Sequence, residues 1–316
     1  ESWYTGTADA VYQNLNLIAD FAPELVAVFG ADHVYRMDLC QMIQHHLASR
    51  ADVTVAARPV PLAEASSLGV MSVAADGRVT AFVEKPNTPE AMPGDPAHAL
   101  GSMGNYIFTT DVLVDVLRED ARRTTDHDFG ATIVPGLLKR HRVCAYNFRQ
   151  NRIPGVRAYE EPAYWRDIGT IASYYHAQMD LLGPEPAFDL DNARWPIFAR
   201  SVEGPPVRIL SGQIEDSLIG EGSTVRGAEI RRSILGRGVR VGRGAVIEGA
   251  IVMDYTEVGE GARITRTIVD RYNHIPPGAR LGPEEADAGG LVAHRDPSGI
   301  LVIPRGEAFG PLPQVV

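Results

Sequence analysis

The sequence predicts an α/β layered domain followed by a β-helix, and three observations carry that prediction. Up to about residue 185, short β-branched runs alternate with amphipathic stretches, which favours a layered α/β sheet over an all-β or all-α domain. From Val207 onward the apolar period becomes six. Leu235, Val241, Ile247 and Met253 are six apart, as are Ile219 and Val225, while Val252, Val258 and Ile264 continue in a shifted phase. Gly follows the apolar residue at Ile219-Gly220, Leu235-Gly236, Val241-Gly242 and Val258-Gly259. A hexapeptide period puts one apolar residue per short face inside a prism, whereas an antiparallel sandwich would show period two. The phase slips fit turns between coils. Between the two regions, "GPEPAFDLDNARWPIFARSVEGPPVRI" (183–209) has no sustained period and is rich in Pro and turn residues. Most of it reads as a linker, with Trp195-Pro196 docking it on a neighbouring surface. The expected divisions are 1–185, a linker over 186–206, and 207–316 with a C-terminal tail.

The elements of the first region follow in order. "TADAVYQNLNLIADF" places Ala8, Val11, Leu15 and Ile18 at helical spacing, with Thr5 or Thr7 available as an N-cap. "LVAVFG" reads as a buried strand, "MDLCQMIQHHLASR" as a helix and "ADVTVAARPV" as a second strand. "GVMSVAADGRVTAFVEKP" is a hairpin around Asp76-Gly77. "GSMGNYIFTTDVLVDVL" is a strand followed by a helix.

Composition narrows the function classes. The 316 residues suffice for two domains, and 45% hydrophobic with 22% charged residues indicates a soluble globular chain. A net charge of −10 argues against a general nucleic-acid or anionic-membrane binder, which would carry a basic patch. It leaves room for a phosphorylated metabolite, whose site needs only a few local cations and a metal. Cys40 and Cys144 stand far apart in no metal-like spacing, so neither a disulfide framework nor a zinc site is implied, and a reducing cytoplasm is expected. Nothing at the start resembles a signal peptide, and the first residue is Glu rather than Met.

Several polar residues stand where chemistry is done. Asp32, in "GADHVYRMD", follows the apolar Leu25–Phe29 run, and ligands of open α/β sheets bind beyond the carboxyl ends of strands. It is equally a turn or helix-cap acid. A magnesium site would require a second acid, because that ion is commonly held by one or two carboxylates with phosphates and water. Asp167 in "YWRDIGT" supplies one, or else caps the helix "IASYYHAQMDLL", although Thr170 is also a plausible cap. Glu84 and Lys85 in "FVEKP" end a strand. Lys85 could neutralise a phosphate and Glu84 accept from sugar hydroxyls, provided a local bend lets both face one ligand; otherwise this is a solvated strand end. "WYTGTADAV" puts small residues and hydroxyls before a helix, which suits an anion or only a cap. Glycines in "LGVMSV" and "SMGNYIF" either let backbone approach a ligand or mark a bulge. In "DHDFG", Asp128 is most economically an N-cap and His127 an ordinary surface histidine.

Taken in order, "WYTGTADAV", "FGADHVY", "LGVM", "FVEKP", "SMGNYIF", "HDFG" and "YWRDIGT" resemble the glucose-1-phosphate adenylyltransferase (ADP-glucose pyrophosphorylase) family, from residue 1 to about 282. The resemblance implies a Rossmann-like nucleotidyltransferase domain with a mixed sheet, then a left-handed β-helix of hexapeptide repeats. It implies adenylyl transfer from ATP to α-D-glucose 1-phosphate, giving ADP-glucose and pyrophosphate for glycogen or α-glucan synthesis, with Mg2+ as cofactor. By it Asp32 and Asp167 match the metal-binding pair, and Lys85 the lysine on the sugar phosphate. Gly69, Glu84, Ser102 and Asp128 match sugar-side positions, although Leu68 stands where the family often has Phe. Tyr4, Gly6 and Thr7 match the nucleotide side. A cytoplasmic homotetramer under small-molecule allosteric control is implied too.

The family also begins with about 100 residues holding a strand and a glycine-rich, arginine-containing loop that cradles the triphosphate, and no "GGxGxR" segment occurs in residues 1–316. This chain alone is therefore expected to lack significant pyrophosphorylase activity. The other readings are a transferase of another sugar 1-phosphate, sharing the "EKP" signature, and a catalytically silent regulatory subunit. A hexapeptide acyltransferase would need a base in the coils, where His274 is the only histidine between Val207 and Gly282.

Overall fold

The computed structural model describes residues 3–198, 204–285 and 290–306. In chain order the first elements are α1 (Thr7–Tyr12), α2 (Leu15–Phe21), β1 (Leu25–Phe29), β2 (His33–Tyr35), α3 (Leu39–Ala48), β3 (Val53–Pro61) and α4 (Leu62–Ala65). Then come β4 (Gly69–Val73), β5 (Val79–Glu84), β6 (His98–Thr109), α5 (Thr110–Asp120), a π-helical turn (Phe129–Ile133), α6 (Val134–Leu137), β7 (Val143–Asn147), β8 (Trp165–Asp167) and α7 (Ile171–Met179). The stretch expected as one helix over 7–21 is two, because the chain breaks at Gln13-Asn14. Its cap also differs from expectation. Gly6 is the N-cap residue and no side chain caps it. Thr5 donates from its N–H and hydroxyl to Asp9, while the Thr7 hydroxyl donates to Asp128 at 2.8 Å.

The chain divides into two compact units, one of residues 1–31 and 36–153, the other of 32–35 and 154–316. The first is built on a mixed sheet in the order β5-β4-β6-β3-β7, with β1 also paired to β6. Only β3 and β7 run parallel; β1, β3 and β4 are antiparallel to β6. Alternate strand residues such as Val53, Val55, Tyr106 and Phe108 meet Leu113, Leu117, Phe129, Ile133 and Leu137 in one core, as a period of two against helices requires. The β3–β6 pairing slips between Val55 and Ala57, opposite the stretch holding Gly104 at φ 69. The glycine of "SMGN" therefore sits at a bulge.

The second unit holds the β2–β8 ribbon, α7 and a parallel β-helix. Its first coils are 16 residues long, Thr224 pairing with Arg240, and the later ones 17, Arg240 pairing with Glu257 and Glu257 with His274. The interior column runs Val241, Ile247, Val252, Val258, Ile264, Val269, Ile275 and Leu281, all buried. The steps are six, five, six, six, five, six and six, so from Val241 onward the expected phase slips are one shortened corner per coil, while the preceding steps Val225, Ile230, Leu235 and Val241 are five, five and six. Met253, expected in the column by strict sixes, is displaced from it by Val252. It packs on the outside with Tyr175, Ile251 and Ile268 beneath α7, whose Tyr175 hydroxyl donates to the Gly249 carbonyl at 2.6 Å. Corners recur in left-handed backbone, for example Gly238, Tyr255 and Tyr272 at φ 64, 57 and 63. Tyr255 and Tyr272 stack at 5.6 Å.

Both ends of this unit carry structure of their own. The tail contributes a further rung, Leu301–Ile303, parallel to Thr267–Val269 and itself paired to His294–Arg295. Part of the linker region is anchored, since Phe188 packs on Tyr164 at 4.9 Å and buried Asn192 donates to the Pro154 carbonyl at 3.0 Å. Trp195 is half-buried, but Pro196, Ile197 and Phe198 are exposed, and the linker residues 199–203 lie outside the described residues.

Candidate functional site

In the first unit, the residues expected on the sugar side gather around one carboxylate. Gly69 on β4 pairs with Glu84 on β5. A Cβ on Gly69 would lie 2.8 Å from Glu84 Oε2, and one on Gly130 only 2.4 Å from the same atom. Both glycines thus make room for this half-buried acid. Burial raises its pKa above the ordinary value, the Asp128 charge adds to the rise, and Lys85 opposes it. Asp128 caps the π-helical turn by accepting from Ala131 N at 2.8 Å, as the cap reading expected, and its other oxygen takes the Thr7 hydroxyl. The Tyr106 hydroxyl, hydrogen-bonded to Ser102, is pushed well above its usual range by burial, with Glu84 and Asp128 contributing. Buried Ser102 also accepts from Gly104 N at 3.2 Å.

Lys85 answers the question left by its place on a strand. Its φ is 46, in the left-handed region, and its N–H donates to the Leu68 carbonyl at 3.0 Å. The strand's alternation therefore stops at Glu84, and the exposed lysine is not bound to the opposite face. Such a conformation costs a non-glycine residue about 1–2 kcal/mol and is found where surroundings enforce it. On the N-terminal side, Gly6 lies against the turn before Asp128: a Cβ there would be 2.3 Å from the carbonyl oxygens of Asp126 and His127. Tyr4 is exposed. Helix α1 has six residues, too short to serve as an anion site through its dipole.

In the second unit, β2 and β8 pair antiparallel with His33 opposite Asp167, and Ile168 N donates to the Asp32 carbonyl at 3.0 Å. This register gathers Asp32, His33 and Asp167, whose potential ligand atoms all lie within 4.8 Å of one another. Asp167 does not cap α7; Thr170 does, in a reciprocal capping box with Ser173. Asp167 instead accepts from Gly169 N at 2.8 Å, and its side chain and that of Asp32 are exposed. The donor set suits a hard cation. Ligands of an octahedral ion at about 2.1 Å stand about 3–4.2 Å apart, so small rotamer shifts would let both carboxylates share one Mg2+ with phosphate and water completing the shell. His33 was not singled out in the sequence. Its adjacency to Asp32 was visible, but its opposition to Asp167 depends on pairing across 134 positions. Strand β8 is held by its middle residue: Arg166 bonds Glu161 through two nitrogens and Asp180 through Nε at 3.0 Å, and lies over the Tyr164 ring at 4.3 Å. His274, the candidate acyl-transfer base, is exposed and 3.3 Å from Glu257.

A family model described as nucleotidyl transferase matches residues 1–183, more than half of the chain. The chain belongs to the nucleotidyl transferase family. A second model, the GlmU-like C-terminal hexapeptide region, matches residues 205–303, which include the rung at Leu301–Ile303. Among curated relatives of this nucleotidyl transferase, proteins named glucose-1-phosphate adenylyltransferase are similar over most of its length. The one from Thermodesulfovibrio yellowstonii is 50% identical over 237 residues, 75% of this chain and 57% of that protein. Those from Anaeromyxobacter dehalogenans and Thermus thermophilus are each 47% identical, over 76% of this chain and 60% and 59% of their own. The chain spans about three-fifths of the length of the curated relatives it matches. Among the described residues, no helix is long and apolar enough to cross a membrane.

Proposed function

We propose that the protein transfers the adenylyl group of ATP to α-D-glucose 1-phosphate, releasing pyrophosphate and ADP-glucose for α-glucan synthesis in the cytoplasm. The observation that carries this reading is 47–50% identity to relatives named for that reaction, and it is supported by the placement of Asp32, Glu84, Lys85, Asp128 and Asp167 described above. A sugar phosphate oxygen attacks the α-phosphorus in line as pyrophosphate departs, so the protein's part is positioning and charge neutralisation. Asp32 and Asp167 would hold Mg2+, which supplies charge neutralisation at the phosphates when bound. Lys85 pairs with the sugar phosphate. The Glu84 carboxylate accepts from sugar hydroxyls, which replaces the water it loses by burial. Ser102, Gly69 and Asp128 shape the sugar side, and Tyr4, Gly6 and Thr7 lie toward the nucleotide.

The test is pyrophosphate release by the intact protein with glucose 1-phosphate and Mg2+, in parallel with ATP, UTP, dTTP and GTP. Turnover with ATP that falls about 100-fold or more in Asp167→Asn supports the reading. Preference for another nucleotide overturns the adenylyl assignment, and no turnover with any of the four assigns a silent regulatory role. The proposal extends to a homotetramer with small-molecule effectors, which light scattering and rate measurements with and without glycolytic metabolites check.

A further inference from the structure

The loop that carries Asp128 is braced by a hydrogen-bonded Asp–His pair with no part in the chemistry above. Asp120 is the last residue of α5 and only 6% exposed. A carboxylate there meets the negative end of the helix dipole and has lost its water, so it is costly unless paired. Its partner is His127, whose Nδ1 lies 2.7 Å from Asp120 Oδ2; an ionised carboxylate only accepts, so that nitrogen carries the proton. The Thr125 hydroxyl donates to the other oxygen at 2.8 Å, and His127 N donates back to Thr125 Oγ1 at 3.2 Å.

This pairing fixes a backbone that the residue would not choose. His127 has φ 48, a left-handed conformation uncommon outside glycine that its surroundings hold in place. In that conformation its carbonyl accepts from Ala8 N at 2.7 Å, and the Asp126 and His127 carbonyls close on Gly6. The next residue, Asp128, then reaches Thr7 and stands near enough to Glu84 to raise its pKa. One histidine thus ties the Gly6–Thr7 turn to the acid beside Glu84.

We propose that His127, held by Asp120, is a positioning residue that sets Asp128 and the Gly6–Thr7 turn for substrate binding. This rests on the adenylyl-transfer reading. The pair touches no reacting atom, so its loss weakens binding in ground and transition states alike, which raises KM and spares kcat.

The experiment measures initial rates of pyrophosphate release by the intact protein, varying glucose 1-phosphate at saturating ATP and Mg2+, with melting temperatures alongside. His127→Ala is expected to raise KM for glucose 1-phosphate about tenfold with kcat within about twofold. His127→Asn accepts left-handed backbone and keeps a donor toward Asp120, so it is expected to recover most of the loss. Asp120→Asn, nearly isosteric, gives a second measurement if the alanine variant does not fold, with KM moving the same way. Unchanged KM in the folded variants, a change in kcat alone, or an asparagine variant as impaired as alanine overturns the proposal. Wild-type turnover in the same assay tests the adenylyl-transfer reading separately.

Discussion

Replacing Gly6 by alanine isolates how tightly the first helix is tied to the turn before Asp128. Gly6 has φ −175, an extended backbone any residue adopts, so the cost lies in space alone. The new Cβ would stand 2.3 Å from two carbonyl oxygens, Asp126 and His127, and 2.7 Å from the His127 carbonyl carbon. A carbon–oxygen contact needs about 3.3 Å, so one backbone must retreat by about 1 Å. That displacement stretches both links across the junction, Ala8 N to the His127 carbonyl at 2.7 Å and Thr7 Oγ1 to Asp128 at 2.8 Å. At about 1 kcal/mol net for each hydrogen bond, with some packing lost at buried Ala8, Gly6→Ala is expected to destabilise by about 2–3 kcal/mol. Gly136 is the control, since it lies within α6 and a Cβ there meets nothing within 4 Å. Gly136→Ala is expected to stabilise by about 0.5–1 kcal/mol through helix propensity and the unfolded chain. Urea unfolding followed by circular dichroism reads both. If the two alanines shift the midpoint alike, or Gly6→Ala stays within about 0.5 kcal/mol of wild type, the argument from space is wrong.

Glu84→Gln removes an acid whose native pKa is raised by burial. Between the ordinary carboxylate pKa and that raised value the native state binds more protons than the unfolded one, so stability falls as pH rises through the window and stays reduced above it. The glutamine variant is therefore expected to melt higher relative to wild type at pH 7 than at pH 4, and an offset independent of pH would contradict this. In the β-helix, Val252 is fully buried in the interior column while Met253 packs outside. Val252→Ala is expected to cost about 1–3 kcal/mol, and more per methylene removed than Met253→Ala; the reverse order in chemical unfolding would return the column to a strict six-residue phase.

The strands were legible because β-branched runs between turn residues leave a local record. Leu25–Phe29, Val53–Pro61 and the hairpin around Asp76-Gly77 each carry a β-branched run bounded by turn residues, and each formed, although Leu25–Phe29, expected to be buried, is only half-buried with Ala27 exposed. The six-residue period gave the β-helix, but its shortened third corner was indistinguishable from a slip until Val252 and Val269 were seen stacked in register. The helix cap differs from the sequence expectation because Thr5 bonds locally to Asp9 and Thr7 bonds across the fold to Asp128 instead of to the helix end. Asp32 was legible as an acid after a strand, and Asp167 as an acid in the turn before a helix. Their juxtaposition was not, since it depends on β2 pairing with a strand far along the chain. The left-handed Lys85 is likewise a product of packing, with nothing in the residue type to announce it.

Coils of 16 or 17 residues give the β-helix the character of a graduated column. Each rung is hydrogen-bonded to the next at the spacing of neighbouring strands, about 4.8 Å, so the column grows or shrinks only in whole steps of that height. A duplicated or deleted coil of 17 residues leaves every interior residue pointing inward. A single inserted residue on a flat face would turn the following ones outward unless a corner absorbed it. The corners are therefore where such a chain can vary by one residue, while its span is quantised.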